Sequence, residues 1–96
     1  MKIFILPSAM DDLADGFHFY EKQEAGLGDY FLNSLLADVD SLRLYAGIHR
    51  QVFGFHRLLS KRFPFAVYYE TEMEQAFVRA ILDCRRDPKW IRQKLK

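Results

Sequence analysis

The chain has 96 residues, half of them hydrophobic and 16% aromatic, which supports one small core and excludes a disordered polypeptide. Its net charge of +1 is unevenly spread: residues 1–48 carry three Lys/Arg against eight acids, a net of −5, and residues 49–96 carry eleven against five, a net of +6. A lone cysteine, Cys84, excludes a disulfide framework and a cysteine zinc site, and fits a reducing compartment.

The first apolar run, residues 2–6, is rich in β-formers and reads as a strand. It is too short for a secretory signal and is interrupted by Pro7. No run approaches the ~18 apolar residues of a membrane span, so a soluble, cytoplasmic protein of one domain, residues 1–96, is expected. Ser8 is placed to cap a helix, with Asp11 and Asp12 suiting its positive end. Met10, Leu13, Ala14, Phe17 and Tyr20 then recur at helical spacing, which predicts a helix over residues 8–23, weakened locally by Gly16. Two glycines in residues 24–29 break it. A second helix is expected over residues 28–46, with Phe31, Leu32, Leu35, Leu36, Val39 and Leu42 on its apolar stripe and Asp29, Asp38 and Asp40 off it. Gly47 is a plausible stop, and so short a connection makes the two helices an antiparallel hairpin.

The rest reads as strands at residues 51–61, 63–70 and 76–84, with Pro64 tolerable only near the start of its strand and residues 71–75 as a polar turn. Short turns between successive strands imply an antiparallel meander. The expected class is α+β: an N-terminal strand, a helical hairpin, then a three-stranded meander with the helices on one sheet face. The tail after Asp87–Pro88 is expected to end in a short basic helix.

No glycine-rich phosphate loop, zinc-protease motif or nucleophile elbow is present, and no cofactor is implied. His18, His49 and His56 share no metal-ligand spacing, so no metal site is expected. The chemistry-bearing feature is a basic group. Arg57, Lys61 and Arg62 lie on or between the second and third strands, and Arg85 and Arg86 leave the last. If those strands are neighbours, the cations converge near one sheet end, where arginine forks suit phosphates or carboxylates. Phe55, Phe63 and Trp90 lie among them as stacking surfaces for bases. The plainer reading is solvated edge charge, partly paired with Asp83 and Asp87. The uneven charge likewise either marks an anionic partner or is neutralised between the halves of the fold. Tyr68 and Tyr69 point to opposite faces, one expected in the core and one at the surface. Cys84 reads as a small packing residue, and Trp90 as closing the end of the core.

Residues 8–42 "SAMDDLADGFHFYEKQEAGLGDYFLNSLLADVDSL", 54–70 "GFHRLLSKRFPFAVYYE" and 80–90 "AILDCRRDPKW" together resemble the RelE/ParE superfamily, toxins of bacterial type II toxin–antitoxin pairs. The order and separation of "HRLLSKRFPFAVYY" and "CRRDPKW" carry the likeness. It implies a helical hairpin on an antiparallel sheet. It also implies a growth-inhibiting toxin, of the kind found in plasmid stabilisation, and a cognate antitoxin with an acidic C-terminal segment. No sequence-specific DNA binding by the toxin alone is implied. RelE-like members cut mRNA on the ribosome, whereas ParE-like members block DNA gyrase without a known catalytic site. Of the basic and aromatic set of the cutting members, Arg57 and Arg85 keep their charge. Leu59 and Ala66 stand where cations are lost, and Trp90 or Ile91 where a tyrosine hydroxyl is lost. Arg57, Arg62 and Arg85 are the catalytic candidates that remain, and arginine is a poor general base near neutrality. His56 is tuned for proton transfer, yet alternation puts it opposite Arg57. Asp83 stands where many ParE-like chains carry a histidine.

The resemblance therefore implies a ParE-like toxin that acts by binding, with Arg57, Lys61, Arg62, Arg85, Arg86 and Trp90 meeting an antitoxin or target. The alternatives are a ribosome-dependent endonuclease and an inactive relative retained for antitoxin binding.

Overall fold

The computed structural model describes all residues, 1–96. In chain order the elements are β1 (Lys2–Ile5), α1 (Pro7–Gln23), α2 (Leu27–Asp40), α3 (Leu42–Tyr45), β2 (Gln51–Val52), β3 (Phe55–Leu59), β4 (Phe65–Glu72), β5 (Gln75–Asp83) and α4 (Pro88–Lys94). One five-stranded sheet runs in the order β1-β5-β4-β3-β2. β2 to β5 are antiparallel neighbours, and β1 lies parallel to β5. The α+β class, the hairpin of helices and the meander are all present. No helix is long and apolar enough to cross a membrane.

Pro7 opens α1, where its missing N–H belongs to a position with no intrahelical partner. Ser8 does not cap the helix. Its hydroxyl donates instead to the Arg79 carbonyl at 2.7 Å, tying α1 to β5 just past the end of β1. Gly16 is where α1 and α2 touch: a Cβ there would lie 2.5 Å from Phe31 Cε2. The residue that weakens the helix in isolation is what lets the hairpin close. Glu21 supplies the cap that α2 lacks locally, its carboxylate accepting from the Gly28 N–H at 2.9 Å.

The expected second helix divides at Ser41, whose hydroxyl donates to the Asp38 carbonyl at 2.6 Å, the back-bonding that bends helices. Its stripe is also rotated from the expected one. Leu36 is 39% exposed, while Asp38 is only 7% exposed and accepts from Ser60 Oγ at 2.6 Å. A charge placed off the stripe thus lies inside, where a hydroxyl on the β3–β4 connection reaches it. The expected strand over residues 51–61 folds back on itself as β2 and β3, and Phe53 and Gly54 both have positive φ, 56° and 87°. A second turn of the same kind, Met73–Glu74, lets β4 and β5 extend to Glu72 and Gln75.

Both sheet faces are packed. Phe31, Leu35, Val39 and Leu42 from the helices meet Val67, Tyr69, Val78 and Ile81 on one side. On the other, Ile91 and Leu95 of the α4 region cover Ala66, Tyr68, Ala80 and Leu82. Tyr68 and Tyr69 do point to opposite faces, but both are buried, at 1% and 0% exposure. The surface position expected for one of them does not exist, because the C-terminal helix covers the end of the second face where Tyr68 lies.

Candidate functional site

The connection between β3 and β4 carries Lys61 and Arg62, and the exit from β5 carries Arg85 and Arg86. Both lie at one end of the sheet because β4 pairs with β3 on one side and β5 on the other. Register places Phe65, the first residue of β4, opposite Asp83, the last of β5. The Cys84 N–H donates to the Pro64 carbonyl at 2.8 Å, which pins the two connections together. Ser60 donates its amide to the Phe65 carbonyl at 2.9 Å and its hydroxyl to Asp38, fixing the connection to α2. Lys61, Arg62, Arg85 and Arg86 are exposed on this frame.

Arg57 lies further in, half-buried on β3 and paired across the ladder with Tyr68, hence on the face covered by α4. Burial pushes the Tyr68 hydroxyl and the Cys84 thiol above their ordinary values, and the nearby Arg57 charge opposes both shifts. Cys84 is exposed as a residue, correcting the packing role expected of it, and its raised thiol is a poor nucleophile near neutrality.

Arg85 is committed within the chain. Its Nε and NH2 reach the two oxygens of Asp83 at 3.0 and 2.8 Å, and its own N–H adds a third bond at 2.8 Å. These bonds hold the Asp83 carboxyl below its usual value, against a smaller opposing effect of burial. Asp87 makes no such pair and instead caps α4, accepting from the Lys89 N–H at 2.8 Å. Arg86 lies over the Trp90 ring, 3.9 Å from its centroid, and Trp90 packs on the second core. Trp90 therefore closes the core and at the same time backs a cation. No carboxylate lies within ion-pair distance of Arg57, Lys61, Arg62 or Arg86.

The aromatic surfaces expected for stacking are largely taken. Phe63 packs edge-on against Tyr20 and Phe31, at 4.9 and 5.1 Å, as part of the helix-side core. Phe55 lies under Arg79 at 5.7 Å. His56 is on the helix side, stacked on Tyr69 at 5.1 Å, so it does not face Arg57. One polar cluster leaves no sign in the sequence. Tyr69 accepts from the Gly47 N–H at 2.9 Å and bonds His49 Nδ1, while His56 Nδ1 bonds the His49 carbonyl at 2.7 Å. Residues so far apart in sequence meet only through strand register, so spacing carried no sign of them. No group of three or more metal-ligating side chains converges.

No protein-family model matches the sequence, and no curated protein matches it. A solved structure does. One chain of "Chromosomal ParDE TA system from P. aeruginosa" superposes with a TM-score of 0.70 at 17% sequence identity, covering 84% of this chain and 92% of that one. The two share a fold. At so low an identity the likeness is one of architecture, and the roles of individual side chains rest on the geometry above.

Proposed function

We propose that this chain is the toxin of a type II toxin–antitoxin pair, ParE-like, inhibiting its target by binding and neutralised by a cognate antitoxin. The observation that supports this is the fold shared over most of both chains with a protein of a ParDE TA system. The site is in keeping with binding. Cutting RNA through its 2′-hydroxyl needs a proton acceptor beside the cations. Arg57 and Arg62 bring charge alone, Arg85 is held by Asp83, and His56 faces the opposite side. Four cations without carboxylate partners, Arg57, Lys61, Arg62 and Arg86, are the contacts proposed for an acidic antitoxin segment or for the target. DNA gyrase is the proposed target.

Inducible expression in a bacterial host, following DNA, RNA and protein synthesis over time, tests the reading. DNA synthesis is expected to fall first, with purified gyrase inhibited at micromolar protein. Protein synthesis falling first, with codon-linked mRNA cuts that vanish in Arg57→Ala, would replace it with a ribosome-dependent nuclease. Growth without any defect would leave an inactive relative that binds an antitoxin.

A further inference from the structure

β1 stops at Ile5, opposite Val78, so the last part of β5 has no strand on that side. Side chains of α1 take its main-chain groups instead. Ser8 donates to the Arg79 carbonyl at 2.7 Å, and Asp12 accepts from the Ile81 N–H at 3.0 Å. Further along, the Asp83 carbonyl accepts from the Arg86 N–H at 3.3 Å. Two groups remain between these contacts. The Cys84 N–H goes to the Pro64 carbonyl, which makes Phe65 and Asp83 a pair whose own N–H and C=O groups turn away from each other. The Asp83 N–H therefore points off the free edge, as does the carbonyl of Ile81 two residues earlier, and neither has a hydrogen-bond partner.

This edge lines a cavity of about 410 Å³ between α1 and α4, within the range of roughly 300–1,000 Å³ for small-molecule sites. The Phe19 and Trp90 rings form part of its walls, and Phe19 is 53% exposed. Most of the charges around it are already paired. Asp83 is held by both Arg85 donors, and Asp12 meets Lys94 at 3.6 Å. Asp15 and Arg86 are left, both exposed and neither in an ion pair, one of each sign.

The free groups select the ligand. In a parallel ladder one residue donates its N–H to the carbonyl before the residue it faces and accepts from the N–H after it. A molecule with an amine and a carboxylate on one carbon therefore spans the Ile81 carbonyl and the Asp83 N–H, in the line that β1 leaves. A longer segment cannot run on from it, because Ser8 and Asp12 occupy the edge on one side and the Arg86 N–H on the other. Free ends suit the unpaired charges: the ammonium meets Asp15 and the carboxylate meets Arg86, whose guanidinium lies on Trp90 with its in-plane donors open. Facing Leu82, the ligand's side chain leaves on the face where Leu82 and Trp90 pack. We propose that this cavity binds a single free α-amino acid with an aromatic side chain. The site does not depend on the toxin reading, and it shares only Arg86 with the cations proposed to meet an antitoxin or target.

The test is an amide-shift titration of the labelled full chain with L-phenylalanine. Phenethylamine, hydrocinnamate and N-acetyl-phenylalanine amide are titrated beside it, which keep the ring but lack the carboxylate, the amine or both charges. Saturable shifts are expected at Asp15, Phe19, Asp83 and the Trp90 indole with phenylalanine, and binding of the other three is expected to be at least tenfold weaker. Asp15→Asn and Arg86→Gln are each expected to weaken phenylalanine binding about tenfold, a loss in keeping with charge-assisted hydrogen bonds. Arg92→Gln, on α4 but laid over Phe53 away from the cavity, binds as the parent does. Should Arg86→Gln disturb Trp90 and with it the native spectrum, Asp15→Asn carries the test. No saturable shift at millimolar phenylalanine, or shifts confined to residues outside the cavity, would overturn the proposal. Equal binding of the amine or the acid alone would overturn the pairing with both charges, and equal binding of the capped amide would replace the free amino acid with a peptide segment.

Discussion

The Tyr69 hydroxyl accepts from the Gly47 N–H and bonds His49 Nδ1; when its hydrogen is given to that nitrogen, the ring carries no proton on Nδ1. Burial pushes His49 below the ordinary imidazole value, and the charge of His56 pushes the same way. The unfolded chain therefore takes up a proton more readily than the folded one as pH falls below the ordinary value of about 6.5. The stability this provides is complete above that pH and is lost as pH drops towards the folded value. The connection from α3 to β2 hangs on these bonds, so it loosens with them. Urea unfolding at pH 7.5 and pH 5 is expected to show a lower midpoint in acid. His49→Gln, which keeps an acceptor without a titrating ring, is expected to shrink that difference. An undiminished pH dependence in the variant would show that His49 is not its source.

At the scale of elements, two positions separate what local sequence prefers from what packing requires. Gly16→Ala improves helix propensity by about 1 kcal/mol, but the new methyl meets the fully buried Phe31 ring. Overpacking of this kind costs about 1–3 kcal/mol, so thermal unfolding of the variant is expected to fall by several degrees; a rise would mean that α1 and α2 cross elsewhere. Phe53→Asn tests the opposite balance. Asn accepts positive φ, which relieves about 1 kcal/mol of strain and exceeds the ~0.5 kcal/mol of an exposed cation–π contact with Arg92. Its melting temperature should rise, and a fall would show that the ring holds α4 in place. These positions also mark how much of the fold could be read. Helix and strand periodicity placed α1, β4, β5 and the α+β order correctly, because a two-faced element writes its burial into its spacing. Periodicity could not reveal the β2–β3 turn, where a phenylalanine occupies a glycine-like conformation. Nor could it reveal the burial of Asp38, which depends on Ser60 from another element.

Across the whole molecule, charge remains segregated. One ion pair joins the acidic and basic halves of the chain, Lys94 to Asp12 at 3.6 Å. Arg43–Asp40, Arg79–Glu70 and Arg85–Asp83 each lie within a half. The halves do not neutralise one another by direct ion pairing, which is in keeping with the anionic partner proposed for the basic end. The sequence showed which cations gather there, since charge and strand order are both legible in it. It could not show that Asp83 takes Arg85 with both oxygens and leaves Arg86 to Trp90, because side-chain pairing is settled by the path out of β5. Replacing Arg57, Lys61, Arg62 and Arg86 by Gln lowers the net charge from +1 to −3. None of the four has a carboxylate partner to orphan, so the fold should survive. The variant's thermal midpoint is expected within a few degrees of the parent, as the exposed charges of Lys61, Arg62 and Arg86 contribute only about 0–1 kcal/mol each and Gln keeps a polar side chain at the half-buried Arg57. Association with polyglutamate is expected to weaken from low to physiological salt for the parent, where the screening length falls to about 8 Å, and to be weak at both for the variant. Growth inhibition should be lost along with it if the basic end is the working surface. Undiminished growth inhibition by the quadruple variant would instead move the proposed target contact to another part of the molecule.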